Sequence, residues 1–80
     1  LNRIYCTVTN KHKVVIVNQS TVPATFVPVA GVDGKPGSAA NQLNNPRGIF
    51  VHTNLTLYVA DSENHRIQRF LPNESNGTTV

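Results

Sequence analysis

The chain has 80 residues, a net charge of +3 from seven basic and four acidic side chains, and a single cysteine. One cysteine excludes an internal disulfide, and the longest aliphatic run, residues 14–17, is far shorter than the roughly 18 residues of a membrane-spanning helix. A chain of this length buries only about 60% of its unfolded surface. Since it lacks a starting methionine and ends in a strand-like run at residues 77–80, we expect a fragment of a longer protein.

Short runs of β-branched and aromatic residues predict strands throughout the chain. In chain order, the predicted strands cover residues 3–8, 13–18, 24–30, 48–52, 57–61, 66–71 and 78 onward. Asn10, Lys11 and His12 form the first predicted hairpin loop, and Pro23 and Pro28 favour an edge position for the third strand. The turn-rich residues 31–47 separate the third and fourth strands, and within them only residues 38–43 could form a helical turn.

An internal repeat is the strongest feature of the sequence, because residues 57–67 match residues 4–14 without a gap at an offset of 53 residues. Tyr5 and His12 recur as Tyr58 and His65, and similar residues recur at most other positions of the match. A period of this size is typical of propellers, solenoids and arrays, whose units cannot bury their apolar faces alone. A small sandwich or an open meander is the alternative, although neither accounts for the repeat.

Two segments closely resemble the NHL repeat: residues 41–51, NQLNNPRGIFV, and residues 57–70, LYVADSENHRIQRF. The resemblance implies an all-β fold of antiparallel four-stranded propeller blades, six in a complete propeller, of which this chain holds about one and three-quarters. Residues 1–30 would then be strands two to four of a first, incomplete blade. Residues 31–47 would be the inter-blade loop, and residues 48–80 a second blade with a truncated outer strand. The remaining blades of the propeller are the first partner implied.

The second predicted hairpin contains four polar residues with structural roles, Asp61, Asn64, His65 and Arg66. Asp61 ends one strand and Arg66 begins the next, so we expect a cross-strand ion pair. Asn64 suits a left-handed turn position, which asparagine tolerates well. An aspartate can also orient a catalytic imidazole, as Asp61 would for His65. The structural interpretation is favoured because the first copy keeps the histidine but has Val8 in place of the acid.

Two residues flanking the predicted innermost strand, Arg47 and His52, are candidates for contact with a ligand or partner. The resemblance implies that Arg47 points toward the mouth of a central channel. Its alternative role is to cap carbonyl groups of the adjacent blade. His52 stands where the family usually has an aspartate. The histidines are too dispersed to predict a metal site, and Cys6 aligns with Val59 in a strand, as a buried thiol would. We predict no catalytic residue and no cofactor.

Four Asn-x-Ser/Thr sequons are candidate N-glycosylation sites, where the composition gives about one or two by chance. All lie in predicted turns or at strand ends: Asn18, Asn54, Asn73 and Asn76. The excess favours an extracellular or cell-surface location.

These features predict a non-catalytic scaffold that binds another protein or an extracellular ligand. The alternative is part of an enzyme resembling the peptidyl-amidating lyases, whose site needs His, Arg and Tyr side chains from several blades; here only Arg47, His52 and the more distant Tyr58 could contribute. An RNA-binding propeller is less favoured, because the cations are scattered and no basic cluster with aromatics appears. Since open blade faces promote association, we expect the isolated chain to be oligomeric, poorly soluble or partly folded.

Overall fold

Two antiparallel sheets make up residues 3–80 in the computed structural model; residues 1–2, at the start of the predicted first unit, lie outside the described residues. Sheet 1 contains β1 (Ile4–Val8), β2 (Lys13–Asn18) and β3 (Thr25–Gly31). Sheet 2 contains β4 (Pro46–Val51), β5 (Leu57–Asp61), β6 (Arg66–Phe70) and β7 (Thr78–Thr79). Strands adjacent in sequence pair in each sheet, and no α-helix occurs among residues 3–80. The prediction of an all-β fold with antiparallel, blade-like sheets is confirmed.

Both long hairpins close through the same local structure, a single 3-10 turn followed by a left-handed histidine. The turns are Thr9–Lys11 and Ser62–Asn64, and the histidines are His12 at φ 60° and His65 at φ 53°. Each histidine N–H donates to the first carbonyl of its turn at 3.1 Å. The prediction that Asn64 adopts the left-handed conformation was wrong, because Asn64 is the last residue of the turn. Histidine is among the residues enriched in that conformation.

The strand β4 begins at Pro46, two residues before its predicted start at residue 48. Pro46 pairs with Asp61, and the next pair is Ile49 with Val59, so one extra residue of β4 bulges between them. The sequence between Pro46 and Ile49 is Arg47-Gly48, and both residues are exposed. Residues 38–43, predicted as the one candidate helical segment, form a turn closed by the Gln42 N–H donating to the Ala39 carbonyl at 3.0 Å.

The core lies between the two sheets and includes one residue of the segment that connects them. Its buried members are Val14 and Ala30 of sheet 1, Leu57, Val59 and Phe70 of sheet 2, and Leu43 of the connecting segment. Full burial of an aliphatic or phenyl side chain stabilises a fold by about 1.5 to 3 kcal/mol, so this layer is what holds the sheets face to face.

Each sheet also has a second face that points away from this core, and both are largely apolar. Successive side chains of a strand alternate between faces, so the strand register assigns them. The outer face of sheet 1 carries Ile4, Cys6, Val15, Val17, Phe26 and Pro28. The outer face of sheet 2 carries Phe50, Tyr58, Ala60, Ile67 and Arg69. Phe26 is 65% exposed and Phe50 is 62% exposed, so these faces present large apolar groups to solvent.

Candidate binding surface at the hairpin end

The two hairpin turns, the start of β4 and both ends of the connecting segment (residues 32–45) lie at one end of the sheets, which we call the hairpin end. The middle of the segment reaches along β6, where the Ala40 carbonyl accepts the Gly77 N–H at 2.8 Å. The Thr9 Oγ1 donates to the Pro46 carbonyl at 2.9 Å, and the Asn45 N–H donates to His12 Nδ1 at 3.1 Å. Gly34 N–H donates to the carbonyl of Lys11 at 2.8 Å. The connecting segment therefore crosses from sheet 1 to sheet 2 along the first hairpin turn.

A buried carboxylate organises the hairpin end of sheet 2. Asp61 is fully buried; its Oδ1 accepts the Asn44 N–H at 2.6 Å, while its Oδ2 accepts Arg66 Nε at 2.7 Å and Asn64 Nδ2 at 2.8 Å. Asp61 and Arg66 are direct register partners on adjacent strands. Charge-assisted hydrogen bonds of this length are roughly twice as strong as neutral ones, which suits a carboxylate removed from water.

Arg66 and Asn64 carry this network into the connecting segment. The Arg66 Nη1 donates to the Ser38 carbonyl at 3.1 Å, and its Nη2 donates to the carbonyls of Ala39 and Gln42 at 3.1 and 2.9 Å. Asn64 Nδ2 also donates to the Gly37 carbonyl at 2.8 Å. The guanidinium thus satisfies three carbonyls that no strand satisfies, and residues 37–44 are held against sheet 2.

Asp61 makes its side-chain hydrogen bonds to Asn44, Asn64 and Arg66, and none to His65. His65 is exposed, and no hydrogen bond joins its ring to the acid that a catalytic imidazole would need as an orienting partner. The geometry gives the alternative of an Asp61–His65 catalytic pair no support.

The first hairpin has an exposed ion pair in place of the buried network. Lys13 Nζ lies 3.0 Å from Asp33 Oδ1. The hydrogen bond from Lys13, together with its charge, lowers the pKa of Asp33 below its ordinary value of 3.8. Exposed pairs contribute little to stability and are screened by salt, so this contact holds the connecting segment less firmly than Asp61 does.

Three exposed cations, Lys11, Lys35 and Arg47, lie at the hairpin end. The ion pairs among residues 3–80 are Lys13–Asp33 and Arg66–Asp61, so these three cations belong to neither. The hydrogen bond from Gly34 to Lys11 brings the neighbouring Lys35 beside the first turn, and Arg47 follows the proline that the same turn contacts. Their positions in sequence, 24 and 12 residues apart, gave no signal of this grouping.

His52 stands at the other end of β4 from Arg47, about 16 Å away at the usual rise of a strand, so the structure does not bring the two predicted contact residues together. The His52 ring meets the Phe50 ring edge-on with centroids 6.5 Å apart, and Phe50 lies 6.3 Å from Tyr58. The Nδ1 of His52 lies 3.3 Å from the backbone nitrogen of Asn54, whose N–H can donate to it. His52 therefore adjoins the outer face of sheet 2.

All four sequon asparagines lie at the end opposite the hairpin end, because each follows a strand that runs away from it. Asn18 ends β2, Asn54 follows β4, and Asn73 and Asn76 follow β6; all four are exposed. Asn18 Oδ1 accepts the Ser20 N–H at 3.1 Å, and Asn54 Oδ1 accepts the Thr56 N–H at 3.0 Å. The sequence predicts these asparagines in turns or at strand ends, and the strand directions bring all four to one end of the sheets.

Other kinds of site are not evident in the described part of the chain. Residues 3–80 contain no group of three or more His, Cys, Asp and Glu side chains arranged to hold a metal ion. Cys6 is a free, half-buried thiol. No helix of the length and apolarity needed to cross a bilayer is found in residues 3–80.

Two face-to-face antiparallel sheets with the same strand order and the same hairpin turn are the arrangement of neighbouring propeller blades. The family model of the NHL repeat matches residues 43–70, which cover β4, β5, β6 and the Asp61 network. Residues 43–70 are therefore an NHL repeat, as the sequence resemblance predicted, and such a repeat implies a β-propeller scaffold with further blades. Comparison with curated proteins and with solved structures found no match.

Proposed function

We propose that this chain is part of a non-catalytic propeller scaffold that binds an acidic surface of another protein through its hairpin end. Residues 1–30 and 48–80 are two neighbouring blades in this proposal, joined by residues 31–47. The observation that carries it is the separation of the two ends: three free cations lie at the hairpin end and four sequons at the other.

The charge at the hairpin end favours an acidic partner. Asp61 and Asp33 are each paired with a cation of the chain, so Lys11, Lys35 and Arg47 outnumber the one unpaired acid at this end, Glu63 of the second turn. Complementary charge steers a protein partner and fixes its register, and arginine is enriched among residues that dominate interface energy. Arg47 is held by the bulge of β4, next to a buried proline, so its backbone is fixed before binding.

The opposite end supports the same choice of surface. Glycans on Asn18, Asn54, Asn73 and Asn76 are bulky and solubilising, so they would cover that end and leave the hairpin end open. Because glycans are added to secreted and cell-surface proteins, this argument includes the proposal that the protein is extracellular or on the cell surface.

No specific observation favours the two alternatives. A lyase-like site needs converging His, Arg and Tyr side chains, and Arg47 and His52 lie at opposite ends of β4. RNA binding needs bases to stack near the cations, whereas the exposed Phe50 and the half-buried Tyr58 lie on the outer face of sheet 2.

Photo-cross-linking tests the proposed surface. A benzophenone amino acid is placed at Lys35, at the hairpin end, or at Asn73, at the other end, and the chain is irradiated with a mixture of extracellular proteins. We expect one acidic protein to be cross-linked from position 35 and not from position 73.

Charge reversal then tests the chemistry. Lys11→Glu with Arg47→Glu should weaken binding of that protein by about tenfold, since each exposed pair contributes about 0.2 to 1 kcal/mol and reversal adds repulsion. Each single reversal changes the net charge by two units, so Arg3→Glu, just before β1 at the opposite end, is the matched control for Lys11→Glu or Arg47→Glu alone and should leave binding unchanged. Equal cross-linking from both positions, or loss of binding with Arg3→Glu, would refute the proposal.

A further inference from the structure

The two sheets diverge at the end opposite the hairpin end. Ile16 and Val27 are register partners on the core-facing side of sheet 1, yet Ile16 is only half-buried and Val27 is 48% exposed. Tyr5, the partner of Ile16 on β1, is also half-buried. If the sheets touched here, these side chains would be buried as fully as Val14 and Ala30 are nearer the hairpin end. A cleft therefore separates the sheets at this end.

The cleft has a volume of about 910 Å³ and a mainly apolar lining. Ligand pockets in proteins have volumes of about 300 to 1,000 Å³ and combine apolar walls with a few polar groups. The apolar lining includes Ile16 and Val27 of sheet 1 and Leu57 and Phe70 of sheet 2. Because both walls belong to this chain, the cleft exists without a further blade.

A cation stands at the edge of this apolar lining. Of the described residues that line the cleft, Arg3 is the one cation and Glu74 is the one acid. Arg3 is exposed and belongs to neither of the ion pairs of residues 3–80. Tyr5 also lines the cleft, and residues two apart on a strand face the same side. The guanidinium and the phenol hydroxyl can therefore both donate to one carboxylate, which matches the planar fork of arginine.

A strained residue, Leu55, also lines the cleft. Its φ is 71°, a left-handed conformation that is an outlier for a bulky side chain. The Leu55 N–H donates to the His52 carbonyl at 2.8 Å, which closes the turn around this conformation. Asparagine or glycine would adopt it with less strain, and such strain is concentrated at binding sites. The turn therefore places an apolar side chain at the cleft at the cost of local strain.

We propose that this cleft binds a linear alkyl carboxylate. Arg3 and Tyr5 donate to the carboxylate, and the alkyl chain lies along the apolar side chains of the lining. A hydrocarbon chain suits this lining better than a peptide, because β2 and β5, which carry Ile16 and Leu57, are each paired with strands on both sides. A peptide backbone would find no partners for its N–H and C=O groups there, and leaving such groups unpaired is unfavourable.

Two of the sequon asparagines, Asn18 and Asn73, also line the cleft. In the proposed scaffold, bulky glycans on these residues would exclude a protein from the cleft and admit a small molecule. The cleft itself is formed by the two sheets, with or without glycans. Binding is therefore measured on chain produced without glycans, so that loss of the proposed glycosylation or of the acidic protein partner would leave the result unchanged.

Titration of the 80-residue chain with decanoate tests the proposal. The protein concentration is low enough for sedimentation to show a monomer, and decanoate stays below the concentration at which it forms micelles. We expect saturable binding of one decanoate per chain. Affinity should rise by about two- to fourfold for each methylene added between hexanoate and decanoate, since full burial of one methylene corresponds to about fourfold.

Three variants separate the contributions of charge and shape. Arg3→Gln removes the charge that pairs with the carboxylate and should weaken decanoate binding by about tenfold. Glu74→Gln removes the one acid of the same lining, so it is the matched control and should not weaken binding. Leu55→Asn should weaken binding without lowering the melting temperature, because asparagine tolerates the left-handed conformation.

NMR contacts between ligand and protein then locate the bound molecule. The methylene protons of decanoate should lie close to the methyl groups of Ile16 and Leu57. Contacts to Phe26 or Phe50 instead, on the outer faces of the sheets, would overturn the proposal, because any apolar patch would then be sufficient. So would the absence of binding, an unchanged affinity in Arg3→Gln, or tighter binding of an apolar tripeptide than of decanoate.

Discussion

Replacing the buried Asp61 by valine tests whether its network stabilises sheet 2 and the connecting segment. The carboxylate is fully buried and accepts three hydrogen bonds of 2.6 to 2.8 Å. Removing one member of a buried ion pair costs about 3 to 5 kcal/mol, because the other charge is left uncompensated. Arg66 keeps its three carbonyl acceptors, so we expect about 3 kcal/mol. A chain of this length has a total stability of about 4 to 12 kcal/mol, so the change removes a quarter or more of it.

Urea unfolding followed by circular dichroism measures this loss, at a protein concentration low enough for sedimentation to show a monomer. With a slope of about 1 kcal/mol per molar urea, the midpoint should fall by about 3 M. Val8 occupies the equivalent position of sheet 1, without a buried ion pair, so Val8→Ala is the control and should cost about 1 kcal/mol.

A double-mutant cycle isolates the contribution of the pair itself. The variant that combines Asp61→Val with Arg66→Leu should lose at least about 2 kcal/mol less stability than the sum of the two single losses. Each single variant leaves one charge without its partner, whereas the double variant leaves none. A loss below about 1 kcal/mol for Asp61→Val, with coupling below about 0.5 kcal/mol, would refute the reasoning, since an exposed pair gives as much.

Three further predictions follow from other contacts. Gly31→Ala should destabilise the fold by more than about 2 kcal/mol, because φ is +84° and a Cβ there would overlap the His12 carbonyl oxygen. Gly34→Ala, at φ +69° with no atom nearby, is the control and should cost about 1 kcal/mol. Equal melting temperatures for the two variants would contradict the overlap. Because Lys13 lowers the pKa of Asp33, the small stabilisation by this pair should be fully present above pH 3.8 and lost as pH falls through the lowered value. Asp33→Asn should remove that part of the pH dependence in urea unfolding, whereas an unchanged profile would exclude the pair as its cause. Secreted from a eukaryotic cell, the chain should gain glycosidase-sensitive mass at its sequons, and each Asn→Gln change should remove one increment; a mass equal to that of the bare chain would contradict glycosylation.

The strands could be predicted closely because their signals are local. The predicted bounds of β2 and β5 are those of the structure, since runs of β-branched and aromatic residues are flanked there by turn residues. The start of β4 could not be predicted in the same way. It depends on Pro46 pairing with Asp61 across a bulge, and that contact joins residues 15 positions apart.

The site was less predictable because its contacts join distant parts of the chain. Asn64 was assigned the left-handed position from its local preference, but its amide bonds to Gly37, 27 residues earlier. The same applies to the cations, which become neighbours only when the connecting segment folds along the first turn. The shared end of the sequons could have been predicted from the strand order, since each sequon follows a strand that runs away from the hairpin end of an antiparallel sheet.

The connecting segment is held by bonds of unequal strength at two adjacent residues, which predicts where the molecule opens first. The Asn44 N–H donates to the buried carboxylate of Asp61 at 2.6 Å, whereas the Asn45 N–H donates to the ring nitrogen Nδ1 of His12 at 3.1 Å. Hydrogen bonds to charged groups contribute about 1 kcal/mol more than neutral ones, so after correction for intrinsic rates the Asn45 amide should exchange about five- to tenfold faster. Opening would then separate sheet 1 from a connecting segment that stays on sheet 2. The two exchange rates are measured by NMR on the 80-residue chain. Equal rates would mean that both amides open in one cooperative event, and that the Asp61 network does not keep the connecting segment on sheet 2 after it leaves sheet 1.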